Sequence, residues 1–132
     1  MGSITHSSDL AAAVVVPKSM STGIGIDCER VMDTAAASEV VGRVFPEAAS
    51  LGIAPGRIAD LEWSTFVTVV FSAKESVYKC LHPLCRIFFD FDAVRLEGVE
   101  ADAGTLRFRW VQALGGELPP GVLLSADFRV EQ

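Results

Sequence analysis

Two short stretches carry side chains whose types and spacing suit chemistry on phosphate. In Gly25-Ile26-Asp27-Cys28-Glu29, two carboxylates stand two residues apart at the end of an apolar run. In Phe71-Ser72-Ala73-Lys74-Glu75-Ser76-Val77-Tyr78-Lys79, one carboxylate and two ammonium groups share a long amphipathic segment. Three acids suit a hard divalent cation such as Mg²⁺, which takes oxygen ligands from one or two carboxylates, substrate phosphate and water. Two amines suit the phosphate itself. The combination points to reaction at a phosphate ester or anhydride.

Each stretch alone has a plainer reading. Asp27 and Glu29 fit a strand that ends in a solvated acidic turn. Glu75 and Lys79 fit a surface ion pair contributing about 0.3–0.5 kcal/mol. Two details favour the chemical reading. Residues i and i+2 of a strand share a face, so Asp27 and Glu29 project together while Cys28 turns to the core. Like charges so placed repel unless a cation sits between them or one is protonated. On a helix, Glu75 and Lys79 share a face opposite the apolar stripe. Phe71 and Tyr78 flank Glu75 there, which suits a cleft wall better than a washed surface. A further candidate is His6, a few residues ahead of a strand, where a loop would offer its imidazole and the Thr5 hydroxyl to an anion.

The elements that must position these groups follow from the apolar pattern. Residues 10–16 read as a buried strand and residues 23–29 as the next strand, the two forming a hairpin. Asp33 or Thr34 caps a helix running to about Phe45, with Glu39 in its first turns and Pro46 closing it. Residues 52–56 are a loop around Pro55. The strongest helix spans residues 61–81, where Phe66, Val70, Ala73, Val77 and Leu81 form one core stripe and Pro83 ends it. Three strand-like runs follow, about residues 88–99, 105–113 and 122–130. In the second, Leu106, Phe108 and Trp110 alternate with Arg107, Arg109 and Val111, giving one apolar and one mainly basic face. Gly115-Gly116-Glu117-Leu118-Pro119-Pro120-Gly121 joins the last two runs. A strand pair, then helices, then three strands is an α+β order, within a single domain over residues 1–132.

Bulk composition narrows the class further. Half of the 132 residues are apolar and 21% are charged, enough to build a core and unlike a disordered chain. The net charge of −6 argues against a nucleic-acid surface, so phosphate must be held by a few local basic groups and a metal. The acidic run at residues 96–102 reads as a solvated strand end. Cys28, Cys80 and Cys85 cannot all pair within one chain, and residues 1–9 carry no secretory pattern, so free thiols in a reducing cytoplasm are expected. Cys80, His82 and Cys85 lie at the wrong spacing for a zinc finger. The longest apolar run, residues 10–17, is too short to cross a bilayer.

In this order, Gly2-Ser3-Ile4-Thr5-His6, Gly25-Ile26-Asp27-Cys28-Glu29 and Phe71-Ser72-Ala73-Lys74-Glu75-Ser76-Val77-Tyr78-Lys79 resemble the 4′-phosphopantetheinyl transferases of the surfactin and enterobactin synthase type. Trp63 upstream adds to the resemblance, which covers residues 2–83. It implies transfer of the phosphopantetheine arm of coenzyme A to a serine of an acyl or peptidyl carrier protein, releasing adenosine 3′,5′-bisphosphate. It implies that Asp27, Glu29 and Glu75 hold Mg²⁺ against the pyrophosphate, and that Glu75 also serves as base for the serine, directly or through water. Lys79 would bind the transferring phosphate, Lys74 would be a further phosphate contact, and His6 with Thr5 would hold the 3′-phosphate of coenzyme A.

The resembled proteins are two similar halves with the active site between them, and this sequence opens almost at the motif that begins the second half. The resemblance is therefore to the C-terminal half, an antiparallel sheet packed against a long helix. Single-half relatives, the holo-acyl-carrier-protein synthases, work as trimers. Their acidic motif is one residue wider, so the Asp27-x-Glu29 spacing favours the two-half type. A homo-oligomer, or pairing with the missing half, is the expected assembly. The alternatives are a truncated half that binds coenzyme A, a nucleotide or a partner chain without efficient catalysis, and an acidic interaction module.

Overall fold

The computed structural model describes residues 1–112 and 118–131. The element order is β1 (Gly2–His6), β2 (Ala11–Val15), α1 (Thr34–Val44), α2 (Trp63–Cys85), β3 (Val94–Glu100), β4 (Thr105–Trp110) and β5 (Leu123–Asp127). Short 3₁₀ turns occupy Pro46–Ala48 and Phe91–Ala93. The architecture is α+β with two antiparallel sheets, β1-β2 and β3-β4-β5, as the order of patterns in the sequence implies.

α2 is the spine of the core. The expected stripe of Phe66, Val70, Ala73, Val77 and Leu81 is buried along its whole length. It packs into one cluster with Val44 at the end of α1, with Phe45 just beyond it, and with Leu96, Leu106, Phe108 and Trp110 from the sheet. The alternation expected in β4 holds: Leu106, Phe108 and Trp110 are fully buried, while Arg107 and Arg109 turn outward to pair with Glu100 and Glu97. α1 begins at the expected cap, with the Asp33 carboxylate accepting from Ala36 N–H at 2.8 Å.

The structure departs from the sequence pattern in four places. The hairpin pairs β1 with β2, His6 opposite Ala11 and Gly2 opposite Val15. It does not pair residues 10–16 with residues 23–29, which belong to neither sheet. A short turn, closed by Ser7 N–H donating to Leu10 O at 2.7 Å, makes the nearer partner the cheaper one to reach. β2 is not a buried strand: alternate residues face outward, and Val15 is 83% exposed. Pro83 lies inside α2, which continues to Cys85 and closes on Arg86 in the left-handed region at φ 54°. So near a helix end, a proline removes only one N–H, and its ring is exposed to solvent. Residues 88–93 are not strand. Asp90 accepts from Phe91 N–H to start a turn, and the aromatic side chains fold onto α2, Tyr78 lying 4.8 Å from Phe89 and Phe71 5.7 Å from Phe91. Residue 113, the expected end of the second strand run, and residues 115–117 of the connecting loop lie outside the described residues.

Candidate active site

The site forms where residues 23–29 lie against α2. Two glycines permit the approach. A Cβ on Gly25 would fall 1.9 Å from the Ser76 carbonyl oxygen, and one on Gly23 would fall 2.9 Å from Cys80 Sγ. Without a sheet partner, the segment needs other acceptors for its amides. β1 supplies them from its inward side: Ile26 N–H donates to Ser3 Oγ and Cys28 N–H to Thr5 Oγ1, each at 3.1 Å. The matching period of two on both chains sets this register.

Asp27 is thereby delivered to the polar side of α2. Its side chain is only 6% exposed. Oδ2 accepts from Ser72 Oγ at 2.8 Å, and Oδ1 accepts from Lys79 Nζ at 2.9 Å. The Thr5 hydroxyl reaches Oδ1 at 3.4 Å. The Lys79 ammonium also donates to Ile26 O at 3.0 Å, so it ties the helix to the backbone as well as to the acid. Ser72, Glu75, Ser76 and Lys79 recur at steps of three and four and form one polar stripe on α2.

Glu29 and Glu75 complete the acidic cluster. Burial raises the proton affinity of both carboxyls above the ordinary value, and the charge of Asp27 raises it further, with Lys79 opposing. Glu29 also feels the negative charge of Glu75. The three expected acids therefore share one electrostatic neighbourhood. They do not close into a cage: among the described residues, no three His, Cys, Asp or Glu side chains converge as a ready-made metal site. Mg²⁺ does not require one, because it usually keeps several waters and takes one or two carboxylates alongside phosphate. The all-oxygen donor set and the mutual repulsion of the acids suit a divalent ion, which would share Asp27 with the Ser72 hydroxyl and the Lys79 ammonium.

The remaining sequence candidates are placed differently. Lys74 is buried, with Nζ donating to Glu47 Oε1 at 2.8 Å and to Phe91 O at 3.0 Å. His6 is the last residue of β1 and not part of a loop. Strand alternation turns Thr5 inward and leaves His6 exposed, so the two are not presented together. On the other side of Glu75, a cavity of about 390 Å³ is walled by Phe71, Tyr78, Phe88, Phe89 and Phe91, with Lys74 and Glu75 on one side. The cleft wall expected from Phe71 and Tyr78 is thus present.

Residues 23–119, which contain both acidic motifs, match the profile of the 4′-phosphopantetheinyl transferase superfamily. The chain belongs to that superfamily. The 4′-phosphopantetheinyl transferase Svp of Streptomyces mobaraensis is 32% identical over 109 residues, 83% of this chain and 43% of the relative. This superfamily member therefore spans less than half the length of the curated relative it matches. Among the described residues, no helix is long and apolar enough to cross a membrane. Sequence reasoning missed Ser72, Ser3 and Glu47. The i, i+7 relation of Ser72 to Lys79 was a usable signal, whereas nothing local marks Glu47 as the buried partner of a residue 27 positions away.

Proposed function

We propose that this chain is the catalytic half of a Mg²⁺-dependent transferase that moves 4′-phosphopantetheine from coenzyme A to a serine of an acyl or peptidyl carrier protein. The observation that carries the reading is the meeting of Asp27, Glu29, Glu75 and Lys79 from two distant segments, beside an aromatic cavity, in a chain of this superfamily. Asp27, Glu29 and Glu75 would hold the metal, which supplies charge neutralisation at the pyrophosphate when bound.

The chain's own groups do the rest. The serine oxygen forms a bond to the phosphorus that carries the pantetheine arm, and the bond to the leaving adenosine 3′,5′-bisphosphate breaks. Glu75, whose carboxyl has a raised proton affinity, receives the serine proton directly or through water. Lys79 offsets negative charge on the transferring group. His6, exposed at the end of β1, is the residue free to meet the 3′-phosphate. Thr5 instead secures residues 27 and 28. The aromatic cavity beside Glu75 suits the uncharged arm that extends from the phosphate.

The outward side of the hairpin leaves Ile4 75% and Val15 83% exposed, which suits contact with a second half or a second copy in the cytoplasm. Incubating the folded chain with coenzyme A, Mg²⁺ and an apo carrier protein tests the proposal. A carrier mass gain of one phosphopantetheine is expected. Coenzyme A binding without any mass gain would instead support the reading of a binding half, and neither would remove both.

A further inference from the structure

The one fully buried ion pair described, Glu47 with Lys74, joins four parts of the fold. Both side chains are almost wholly enclosed, at 4% and 1% exposure. Glu47 Oε1 accepts from Lys74 Nζ and from Leu96 N–H of β3, each at 2.8 Å. Lys74 Nζ donates in turn to Phe91 O, in the turn that walls the aromatic cavity. Lys74 immediately precedes Glu75 on α2. Burial lowers the proton affinity of the ammonium, and Glu47 opposes that shift. A cation so enclosed, and already bonded to a carboxylate and a carbonyl, is poorly placed to meet a phosphate in the cluster.

We infer that Glu47 and Lys74 are positioning residues: the pair sets where the 88–93 wall stands against α2, and so fixes the width of the cavity and the pitch of the Glu75 carboxylate. The ammonium is a tie within the fold and not a phosphate contact. The catalytic part of this statement rests on the proposed transfer reaction, and the structural part does not.

The chain has a single tyrosine, Tyr78, in the cavity wall. Labelling with 3-fluorotyrosine therefore gives one ¹⁹F resonance that reports the cavity in the intact protein. Three proteins are compared: wild type, Lys74→Met, and the double variant Glu47→Gln/Lys74→Met, whose amide can still accept from Leu96 N–H. Lys74→Met leaves Glu47 buried and unpaired, so it lowers the Tm and shifts the resonance. The double variant returns both toward wild type. Its affinity for coenzyme A, by calorimetry, stays within about threefold of wild type, and the Lys74→Met loss in turnover lies in kcat and recovers in the double variant.

Two results overturn the inference. A double variant with wild-type Tm whose coenzyme A affinity stays about ten- to a hundredfold weaker would make Lys74 a phosphate ligand. A resonance that Lys74→Met leaves unmoved would deny the link to the cavity. If Lys74→Met does not fold, Glu47→Gln alone takes its place in the same comparison. If wild type neither binds coenzyme A nor transfers, the transferase reading fails, and the Tm and ¹⁹F results still decide the positioning claim.

Discussion

Gly25→Ala is the sharpest test of how the site is built. The added methyl would sit 1.9 Å from Ser76 O and 2.8 Å from Cys80 N, both backbone atoms of α2, where neither can swing aside. Ordinary contact begins near 3.4 Å, so residues 23–29 must lift from the helix by about 1.5 Å in a close-packed interior. Asp27 is two residues along and depends on bonds of 2.8 Å from Ser72 and 2.9 Å from Lys79. The same shift takes both past hydrogen-bonding distance. Overpacking of this kind costs about 1–3 kcal/mol, which for a domain of this size lowers the Tm by about 3–15 °C. A displacement of this size at the acid costs turnover about a hundredfold or more. Thermal melting by circular dichroism gives the first figure, and carrier mass gain against time gives the second. A Gly25→Ala protein that melts and turns over like wild type would refute the claim that close approach of this segment to α2 sets the Asp27 position.

Gly42→Ala is the contrasting control: a Cβ there meets nothing within 4 Å on an exposed turn of α1, so stability rises by about 0.5–1 kcal/mol, read as a higher Tm. Glu75→Gln keeps the shape of the side chain but not its basicity, and turnover falls about 10²–10⁴-fold with the Tm unchanged or higher. The pH dependence follows from the raised proton affinities of Glu29 and Glu75. The folded state binds more protons than the unfolded state above the ordinary carboxylate value of 4.5. The Tm therefore rises as pH falls from about 7 toward about 5, and saturating Mg²⁺ flattens that rise. Glu97, held low by Arg109, loses its contribution only below this window; a Tm that falls steadily from neutral pH would contradict the proposed repulsion.

Much of the fold was legible because local pattern and burial agree. The stripe on α2 and the alternation of β4 each repeat a period that only one structure satisfies, and the Asp33 cap needs only a residue three positions away. Residues 23–29 were misread because an apolar run ending in two acids looks the same whether its amides meet a strand or a pair of hydroxyls. The aromatic run at residues 88–93 has strand propensity, but Phe89 and Phe91 find their partners on α2 and an Asp90 turn serves them better. Type and spacing pick out Asp27, Glu29 and Glu75, and the structure brings them near one another without closing them into a cage. The burial of Lys74 was not legible, because its partner Glu47 is fixed by tertiary packing after a proline turn. Nor was the separation of Thr5 from His6, since nothing local in residues 2–6 marks them as a strand, and strand alternation is what parts the two side chains.

The missing strand pairing has a chemical consequence. In a ladder, Cys28 N–H would donate to a carbonyl, and a carbonyl has no proton to pass on. A hydroxyl accepts and donates at once. Thr5 Oγ1 takes the Cys28 N–H at 3.1 Å and stands 3.4 Å from Asp27 Oδ1, so the bond that holds the backbone also directs a donor at the acid. From the helix side the Ser72 hydroxyl donates to Asp27 Oδ2, and Lys79 bonds both Ile26 O and Asp27. Thr5 and Lys79 thus both secure the segment near residue 27 and orient its carboxylate, while Ser3 holds only the Ile26 amide. An acid held in this way keeps its place when the charge beside it changes, which the proposed transfer reaction would require of at least one ligand of its metal.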